Sequence, residues 1–246
     1  MPNIEIYNED ALVQLPKLES NSIDLIYCDL PYGTTNCKWV SIIPLEDMWM
    51  ECNRLIKGNG AIIFHAQQPF TSHLIISNVK MFKYSWVWEK SKATGFLNSK
   101  IRPLVAHEDI LVFSKGKPPY YPQMSKGKPY NKGIRKKQTE DDVYNSYKQS
   151  KIKSSGDRYP RSVLYTKTAE SEGKTYHKTQ KPLSLSEYII KTYSQENDLI
   201  LDFTVGSGTS GIASYLSNRI SILIEKDYDI FNVMKERIEN KLGLSI

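Results

Sequence analysis

The chain has 246 residues, a formal net charge of +6 and a pI near 9.0. A chain of this length can bury a substantial core without disulfides or metals, and its three cysteines lack the spacing of a zinc site. The first residues carry no basic-then-apolar signal pattern, and no apolar run approaches the length of a membrane span. These features argue against a disulfide scaffold and a membrane protein, and they predict a soluble cytoplasmic protein.

Short apolar runs alternate along the chain with longer amphipathic ones. The short runs predict strands at Ile4–Tyr7, Ile23–Cys28, Ala61–His65, Ser85–Trp88, Asp109–Phe113, Leu199–Asp202 and Ser221–Ile224. The longer runs predict helices at Leu45–Leu55, Pro69–Asn78, Leu183–Tyr193, Thr209–Leu216 and Tyr228–Lys241. Strands that alternate with helices predict an α/β fold, with a Rossmann-like, mostly parallel sheet covered on both sides.

The segment from Lys115 to Lys153 departs from this pattern. It holds eleven Lys or Arg against three acids, so its net charge is +8 and that of the remaining chain is −2. Tyrosines are interleaved with the cations, Pro and Gly are frequent, and apolar periodicity is absent. We therefore predict a basic, loop-rich insert. A solvated linker is the alternative, but aromatic residues among concentrated cations favour a nucleic-acid surface.

A glycine-rich turn lies between a predicted strand and a predicted helix. Gly206, Gly208 and Gly211 satisfy G-x-G-x-x-G, which is compatible with a dinucleotide site. Asp202 precedes the glycines, where a carboxylate suits a cationic amine better than a pyrophosphate. Glu225 ends the next strand, where it could accept hydrogen bonds from ribose hydroxyls. S-adenosylmethionine has an ammonium, a ribose and no phosphate, so it fits better, and NAD is the alternative.

The stretch CDLPYG follows a buried apolar strand and combines an acid, a proline and a tyrosine. The lone pair of an exocyclic amine on a base is delocalised into the ring, so acceptors for both N–H groups make the nitrogen more nucleophilic. Asp29 can accept one hydrogen bond, and the backbone carbonyl of Leu30 or Pro31 can accept the other. Tyr32 can stack on a base taken out of the helix. The stretch predicts amine methylation through positioning and electrostatics.

These four residues resemble the D-P-P-Y motif of amino-group DNA methyltransferases, with leucine for the first proline. The run HKTQKPLSLSEYIIKTYSQENDLILDFTVGSGTSGIAS is similar to the family's segment joining its last cofactor motif to its glycine loop. ECNRLIKGNGAIIF and WEKSKATGFLNSKIRPLVAHEDILVFSKG also resemble family segments. The resemblance covers the chain outside residues 117–175, and the motif order is that of the β class. It implies a catalytic half (1–114), a target-recognition insert (115–175) and a cofactor-binding half (176–246).

The resemblance also implies a role for each matching residue. The catalytic clamp would comprise Asp29, Leu30, Pro31 and Tyr32. The cofactor site would comprise Asp10, Ala11, His177, Lys178, Gln180, Lys181, Pro182, Asp202, Phe203, Thr204, Gly206, Ser207, Gly208, Thr209 and Glu225, with a lysine near the cofactor carboxylate. The target-base segment would comprise Lys90, Asn98, Arg102 and His107. Independently of the resemblance, the charge of the insert predicts that it binds DNA through Lys132, Arg135, Lys136 and Lys137.

Some of these assignments have structural alternatives. Asp10 could be a helix N-cap, and His107 could form a surface pair with Glu108. The family often reads D-P-F before its glycines, so Phe203 is displaced by one position here. Four histidines without ligand spacing predict no metal site.

Together these features predict an S-adenosylmethionine-dependent methyltransferase that flips a base out of double-stranded DNA. The resemblance of Asp29 to the adenine group favours adenine N6 over cytosine N4, since serine is typical there of the cytosine group. A homodimer and a cognate restriction enzyme are the further partners that the resemblance suggests. The alternatives are an NAD-dependent oxidoreductase, a catalytically silent DNA-binding protein, and a methyltransferase acting on RNA or on a protein glutamine.

Overall fold

The computed structural model describes residues 3–32, 43–134 and 151–246. They form two compact units, one comprising Met1–Tyr121 with Ser162–Ile246 and the other comprising Pro122–Arg161. In chain order the strands are β1 (Ile4–Asn8), β2 (Ile23–Asp29), β3 (Ile56–Ala66), β4 (Phe82–Thr94), β5 (Val105–Phe113), β6 (Ser125–Lys126), β7 (Tyr130–Ile134), β8 (Lys151–Ser154), β9 (Asp157–Arg158), β10 (Val163–Thr166), β11 (Leu199–Asp202) and β12 (Ile220–Glu225). The helices are α1 (Ala11–Gln14), α2 (Leu45–Leu55), α3 (Phe70–Ser77), α4 (Leu183–Tyr193), α5 (Thr209–Leu216) and α6 (Tyr228–Leu242).

The larger unit is built on one eight-stranded sheet, in the order β1-β12-β11-β2-β3-β5-β4-β10. Neighbouring strands are parallel except where β5 pairs antiparallel with β3 and β4. The α/β class and the mostly parallel sheet predicted from the sequence are therefore confirmed. Strands β3, β4 and β5 extend beyond the apolar runs that predicted them, because polar residues continue their backbone pairing.

The sheet is buried on both faces, which is why its central strands read as nearly continuous apolar runs. In β2, Ile26 and Cys28 pack with α2 and α3 on one face, whereas Leu25 and Tyr27 pack with α4 on the other. A third cluster places α5 and α6 against the strands at the β1 end of the sheet. Within the described ranges, no helix has the length and apolar character needed to cross a membrane.

The smaller unit contains two short antiparallel ribbons, in which β6 pairs with β9 and β7 with β8. Arg158 lies 4.8 Å from the centre of the Tyr130 ring, and the Lys132 ammonium lies 5.3 Å from it. This unit lies within residues 115–175, the predicted target-recognition insert. The predicted DNA contacts Arg135, Lys136 and Lys137 lie outside the described residues.

Candidate active site

Four predicted site residues lie at or just after the carboxyl ends of neighbouring strands. Asp29, Asp202 and Glu225 end β2, β11 and β12, and Asp10 follows β1. Because these strands are parallel neighbours, their carboxyl ends meet at one edge of the sheet. We call this the catalytic edge. The sheet thus brings together carboxylates that are far apart in the chain.

Asp29 is held by three contacts. Its Oδ1 accepts a hydrogen bond of 2.8 Å from the Tyr32 hydroxyl, and its Oδ2 accepts one of 2.5 Å from the Lys181 ammonium. Its backbone carbonyl accepts a 3.1 Å bond from the Thr204 hydroxyl. Asp29, the predicted catalytic residue, is therefore linked to Tyr32 in its own turn, to Lys181 before α4 and to Thr204 at the start of the glycine loop.

The rest of the turn positions the Tyr32 ring. Leu30 is buried in the core and Pro31 is half-buried. The Tyr32 ring stacks on Phe70, with centroids 5.6 Å apart and an interplanar angle of 30°. Burial, followed by the charge of Asp29, raises the pKa of Tyr32, so its hydroxyl remains a hydrogen-bond donor at neutral pH.

Asp29 belongs to a row of alternating charges. Lys181 Nζ lies 2.5 Å from Asp29 Oδ2 and 3.3 Å from Glu108 Oε2, and Lys90 Nζ lies 2.6 Å from Glu108 Oε1. Burial alone would raise the pKa of Glu108, but Lys181 and Lys90 bring it down to about 2. Burial alone would lower the pKa of Lys181, but Asp29 and Glu108 raise it above its usual value. Glu108 and Lys181 are therefore fully charged at neutral pH.

Glu108 is a site residue that the sequence reasoning missed. Strand alternation places Glu108 on the same face of β5 as the buried Ile110, and the predicted residue His107 is exposed. That alternation, readable in HEDILVF, was the signal that distinguishes the two residues. Glu108 Oε2 is buried and has no hydrogen-bond partner among the residues that the structure describes, although it lies 3.3 Å from the Lys181 ammonium.

His65 lies beside the charged row and is neutral. The Tyr27 hydroxyl lies 2.9 Å from His65 Nε2 and 3.0 Å from the Ser186 hydroxyl. Burial, followed by the charge of Lys181, lowers the pKa of His65 to about 4. His65 is therefore a buried, uncharged packing residue beside Asp29, its register partner on β2.

The glycine loop is held by a buried arginine that the sequence reasoning also missed. One nitrogen of Arg237, on α6, donates to Ser207 O at 2.7 Å, to Ser207 Oγ at 3.0 Å and to Thr209 Oγ1 at 2.9 Å. Gly208 has a φ of +84°, and a Cβ there would lie 2.9 Å from Met234 Cγ, so a side chain is excluded. The only sequence signal was position: Arg237 adjoins the apolar stripe of α6.

Asp202 braces the start of this loop. It accepts hydrogen bonds from the Thr204 backbone N–H at 3.0 Å and from the Ser210 hydroxyl at 2.5 Å. Burial is the largest cause that raises the pKa of Asp202, to about 7. The neighbouring Phe203 is buried, with its ring edge-on to that of Phe64. Asp202 is thus close to its ionisation midpoint at neutral pH.

Glu225 and Asp10 are the other two acidic residues at the catalytic edge. Glu225 accepts hydrogen bonds from the Gly206 backbone N–H at 2.9 Å and from the Asp227 backbone N–H at 2.9 Å, and burial is the largest cause that raises its pKa. Asp10 caps α1 by accepting a 2.9 Å bond from Leu12, and it lies 2.8 Å from the Lys226 ammonium. Asp10 is therefore the N-cap of α1, as its structural alternative predicted. The neighbouring Ala11 is buried in the core.

The segment before α4 contacts the glycine loop. Gln180 Oε1 accepts hydrogen bonds from the Tyr176 backbone N–H at 2.9 Å and from the Ser207 hydroxyl at 3.4 Å. The side chain of His177 lies 3.0 Å from the Thr179 hydroxyl. A cleft opens here, lined by Tyr176, His177, Ser207, Asp229, Ile230 and Val233.

The remaining predicted residues are spread more widely. Pro182 is buried immediately before α4, and Lys178 is exposed. Asn98 and Arg102 lie in the connection between β4 and β5, away from the paired strands, and Lys132 lies in the smaller unit. Among the residues that the structure describes, no cluster of three His, Cys, Asp or Glu could hold a metal ion.

Residues 23–236 match a family model described as DNA methylase. The Type II methyltransferase M.HpaI of Haemophilus parainfluenzae is 28% identical, over 95% of this chain and 74% of that protein. M.HindIII of Haemophilus influenzae is 25% identical, over 95% of this chain and 94% of that protein. The solved complex of M1.HpyAVI with SAM aligns with a TM-score of 0.65 and 26% identity, over 96% of this chain and 98% of that one. The cytosine-N4-specific PvuII DNA methyltransferase aligns with a TM-score of 0.64 and 15% identity, over 98% of this chain and 91% of that one. At this identity the similarity concerns the fold alone.

Replacing Arg237 by Met should destabilise the protein through the glycine loop. Because each buried acceptor left without a partner costs about 1–3 kcal/mol, the free energy of unfolding should fall by about 2–4 kcal/mol. Urea denaturation followed by tryptophan fluorescence measures it. Lys235→Met removes a half-exposed cation from the same helix and should change the value by less than about 0.5 kcal/mol. Equal effects of the two substitutions would contradict the assignment.

Proposed function

The chain belongs to the DNA methylase family, and from this premise we propose that it transfers a methyl group from S-adenosylmethionine to adenine N6 in DNA. The observation that carries the proposal is the position of Asp29, held by Tyr32 and Lys181 at the catalytic edge beside the glycine loop. Adenine is preferred over cytosine N4 because Asp29 resembles the adenine group of the family.

The residues around the glycine loop fit S-adenosylmethionine. Asp202 and Glu225 offer carboxylates on either side of the loop, as a ligand with an ammonium and a ribose requires. The adjoining cleft has the apolar side chains of Ile230 and Val233 in its wall. Arg237 donates to oxygens of the loop itself, which argues against its serving a dinucleotide pyrophosphate.

The cofactor supplies an electrophilic methyl group on a sulfonium ion. Asp29 accepts a hydrogen bond from the target amine, and a backbone carbonyl of Leu30 or Pro31 accepts the second, so the nitrogen lone pair is directed at the methyl carbon. Tyr32, fixed by Phe70, stacks on the flipped base. Transfer would form the nitrogen–methyl bond and break the sulfur–methyl bond, so the cofactor would leave as a neutral thioether. The amine nitrogen is then cationic, and it would release a proton to solvent water to restore the neutral base.

Lys181 and Glu108 keep Asp29 ready for this role. A carboxylate has about four lone-pair sites, so Asp29 can accept from the amine while retaining its bonds to Tyr32 and Lys181. Lys181 fixes the orientation of the carboxylate, and Glu108 shares the ammonium. The prearranged geometry means that no large reorganisation accompanies the reaction.

DNA is the proposed substrate, and a homodimer and a cognate restriction enzyme are proposed further partners. The basic insert would contact DNA phosphates through Lys132, Arg135, Lys136 and Lys137. The Type II relatives M.HpaI and M.HindIII support a restriction-modification context. Cytosine N4 is the second candidate target, since the same clamp suits either amine and the fold is shared with a cytosine-N4-specific enzyme.

Nucleoside mass spectrometry tests the proposed reaction. Wild-type protein incubated with S-adenosylmethionine and unmethylated DNA should produce N6-methyladenine. Asp29→Ala removes the acceptor and should lower turnover at least about a hundredfold while leaving cofactor binding within about twofold.

Asp24→Asn provides a matched control, because Asp24 lies on the same strand but at its far end, paired with Lys57. This variant should keep turnover within about twofold of wild type. N4-methylcytosine as the product would overturn the base assignment. Loss of cofactor binding in Asp29→Ala, or full activity of that variant, would contradict the role of Asp29.

Cofactor affinity should weaken as the pH falls. An ammonium prefers the ionised form of Asp202, whose pKa is about 7 in the free protein. Below that pH most Asp202 side chains carry a proton, which must leave before the ammonium binds. The dissociation constant of the cofactor should therefore rise about tenfold between pH 7 and pH 5.5. Isothermal titration calorimetry measures this dependence directly.

Asp202→Asn should bind more weakly but lose most of the pH dependence. The asparagine can still accept the bond from the Thr204 backbone N–H, so the loop should remain in place. An equally steep dependence in Asp202→Asn would show that another group titrates and would remove Asp202 from the ammonium site.

A further inference from the structure

The connection between β4 and β5 projects beyond the catalytic edge. The strand pairings Asp29–His65, His65–Ile110 and Ile110–Trp86 place Trp86 level with Asp29. The hairpin continues for eight more residues, to Thr94, which pairs with Val105. Strand β4 is irregular between Glu89 and Thr94, and β5 covers the same span in five residues, from Ile110 to Val105. At about 3.3 Å per residue, the paired part of the hairpin therefore reaches up to about 17 Å past the edge.

The tip displays apolar side chains to solvent. Phe96 is 79% exposed, Leu97 is 96% exposed and Ile101 is 81% exposed. Single exposed apolar residues are ordinary, but three within six residues at the end of a projecting hairpin indicate a contact surface. We call Phe96, Leu97 and Ile101 the apolar tip.

The tip has a defined conformation. Gly95 adopts a φ of +88° and begins a turn in which Asn98 donates to Gly95 O, and Ser99 donates to Phe96 O, each at 3.0 Å. Arg102 N–H continues the pattern to Asn98 O at 3.0 Å. The exposed side chains are therefore carried on a hydrogen-bonded turn, which limits the entropy lost when they dock.

The charges around the tip select its partner. Residues 91–106 contain Lys92, Lys100 and Arg102 and no acid. A polyanion complements these charges, whereas a symmetric contact between two copies would place each cation near its equivalent. Apolar side chains flanked by cations match the pattern with which proteins wedge open base steps while holding the phosphates.

We propose that the apolar tip inserts Phe96 and Leu97 into the DNA duplex beside the flipped base, while Lys100 and Arg102 hold the adjacent phosphates. The proposal rests on the proposed function. Removing a base from the stack leaves apolar ring faces exposed, and an inserted side chain covers them. The tip would thus favour the open duplex and would matter less when the target is already unpaired.

The test first maps the methylated position by sequencing wild-type product DNA. Two duplexes are then made, one fully paired and one with an abasic site opposite the target base. On the paired duplex, Phe96→Ser/Leu97→Ser should lower kcat/KM about tenfold or more, because no apolar side chain would then cover the base faces that flipping exposes. On the duplex with the abasic site the loss should stay below about threefold.

Two further variants sharpen the comparison. Ile76→Ser/Val79→Ser removes apolar side chains that are 73% and 61% exposed elsewhere on the surface, and it should change neither rate. Phe96→Trp/Leu97→Met keeps the apolar bulk and should retain activity on the paired duplex.

Three results would overturn the proposal: unchanged activity of the serine variant on paired DNA, equal losses on both duplexes, or a change in oligomeric state that marks the tip as a subunit interface. A wild-type protein that binds S-adenosylmethionine but methylates no DNA would instead refute the proposed function, which keeps the two failures distinct.

Discussion

The buried ammonium of Lys181 is the constraint on which the catalytic edge depends. An isolated charge at this depth is unfavourable by several kcal/mol, and the carboxylates of Asp29 and Glu108 both contribute to offsetting that penalty. Lys90 balances Glu108 from the next strand. Strands β2, β4 and β5 and the segment before α4 therefore each supply one residue of the charged row that orients Asp29.

Sheet topology, and not chain order, brings the turn after Asp29 next to the glycine loop. Strands β2 and β11 are direct parallel neighbours, so the turn after Asp29 and the loop after Asp202 emerge side by side. The hydrogen bond from Thr204 to the Asp29 carbonyl links the two segments. Movement of the glycine loop, which Arg237 and Asp202 restrain, would therefore displace the backbone of Asp29. In the proposed mechanism, cofactor binding and methyl transfer therefore take place at the same edge of the sheet.

Much of this arrangement could be predicted from the sequence. Helices α2 and α4 have the bounds that the amphipathic pattern gave, and strands buried on both faces read as unbroken apolar runs. For Glu108 the sequence offers only strand alternation, and for Arg237 only its position beside the apolar stripe of α6. Neither signal reveals the role of the residue, because a buried charge that depends on distant partners otherwise looks like a surface residue in the sequence. The predicted strands Ser85–Trp88 and Asp109–Phe113 are shorter than β4 and β5 for a related reason. The additional residues are mostly polar, and backbone pairing holds them in the sheet.

A double-mutant cycle on Glu108 and Lys181 tests the central claim that the shared ammonium orients Asp29. Single-turnover methylation rates would be compared for Glu108→Gln, Lys181→Gln and the double variant. If Glu108 acts through Lys181, Glu108→Gln should slow the wild-type protein about tenfold but the Lys181→Gln protein by less than about threefold. Equal slowing in both backgrounds would show that Glu108 acts independently of Lys181 and would contradict the account.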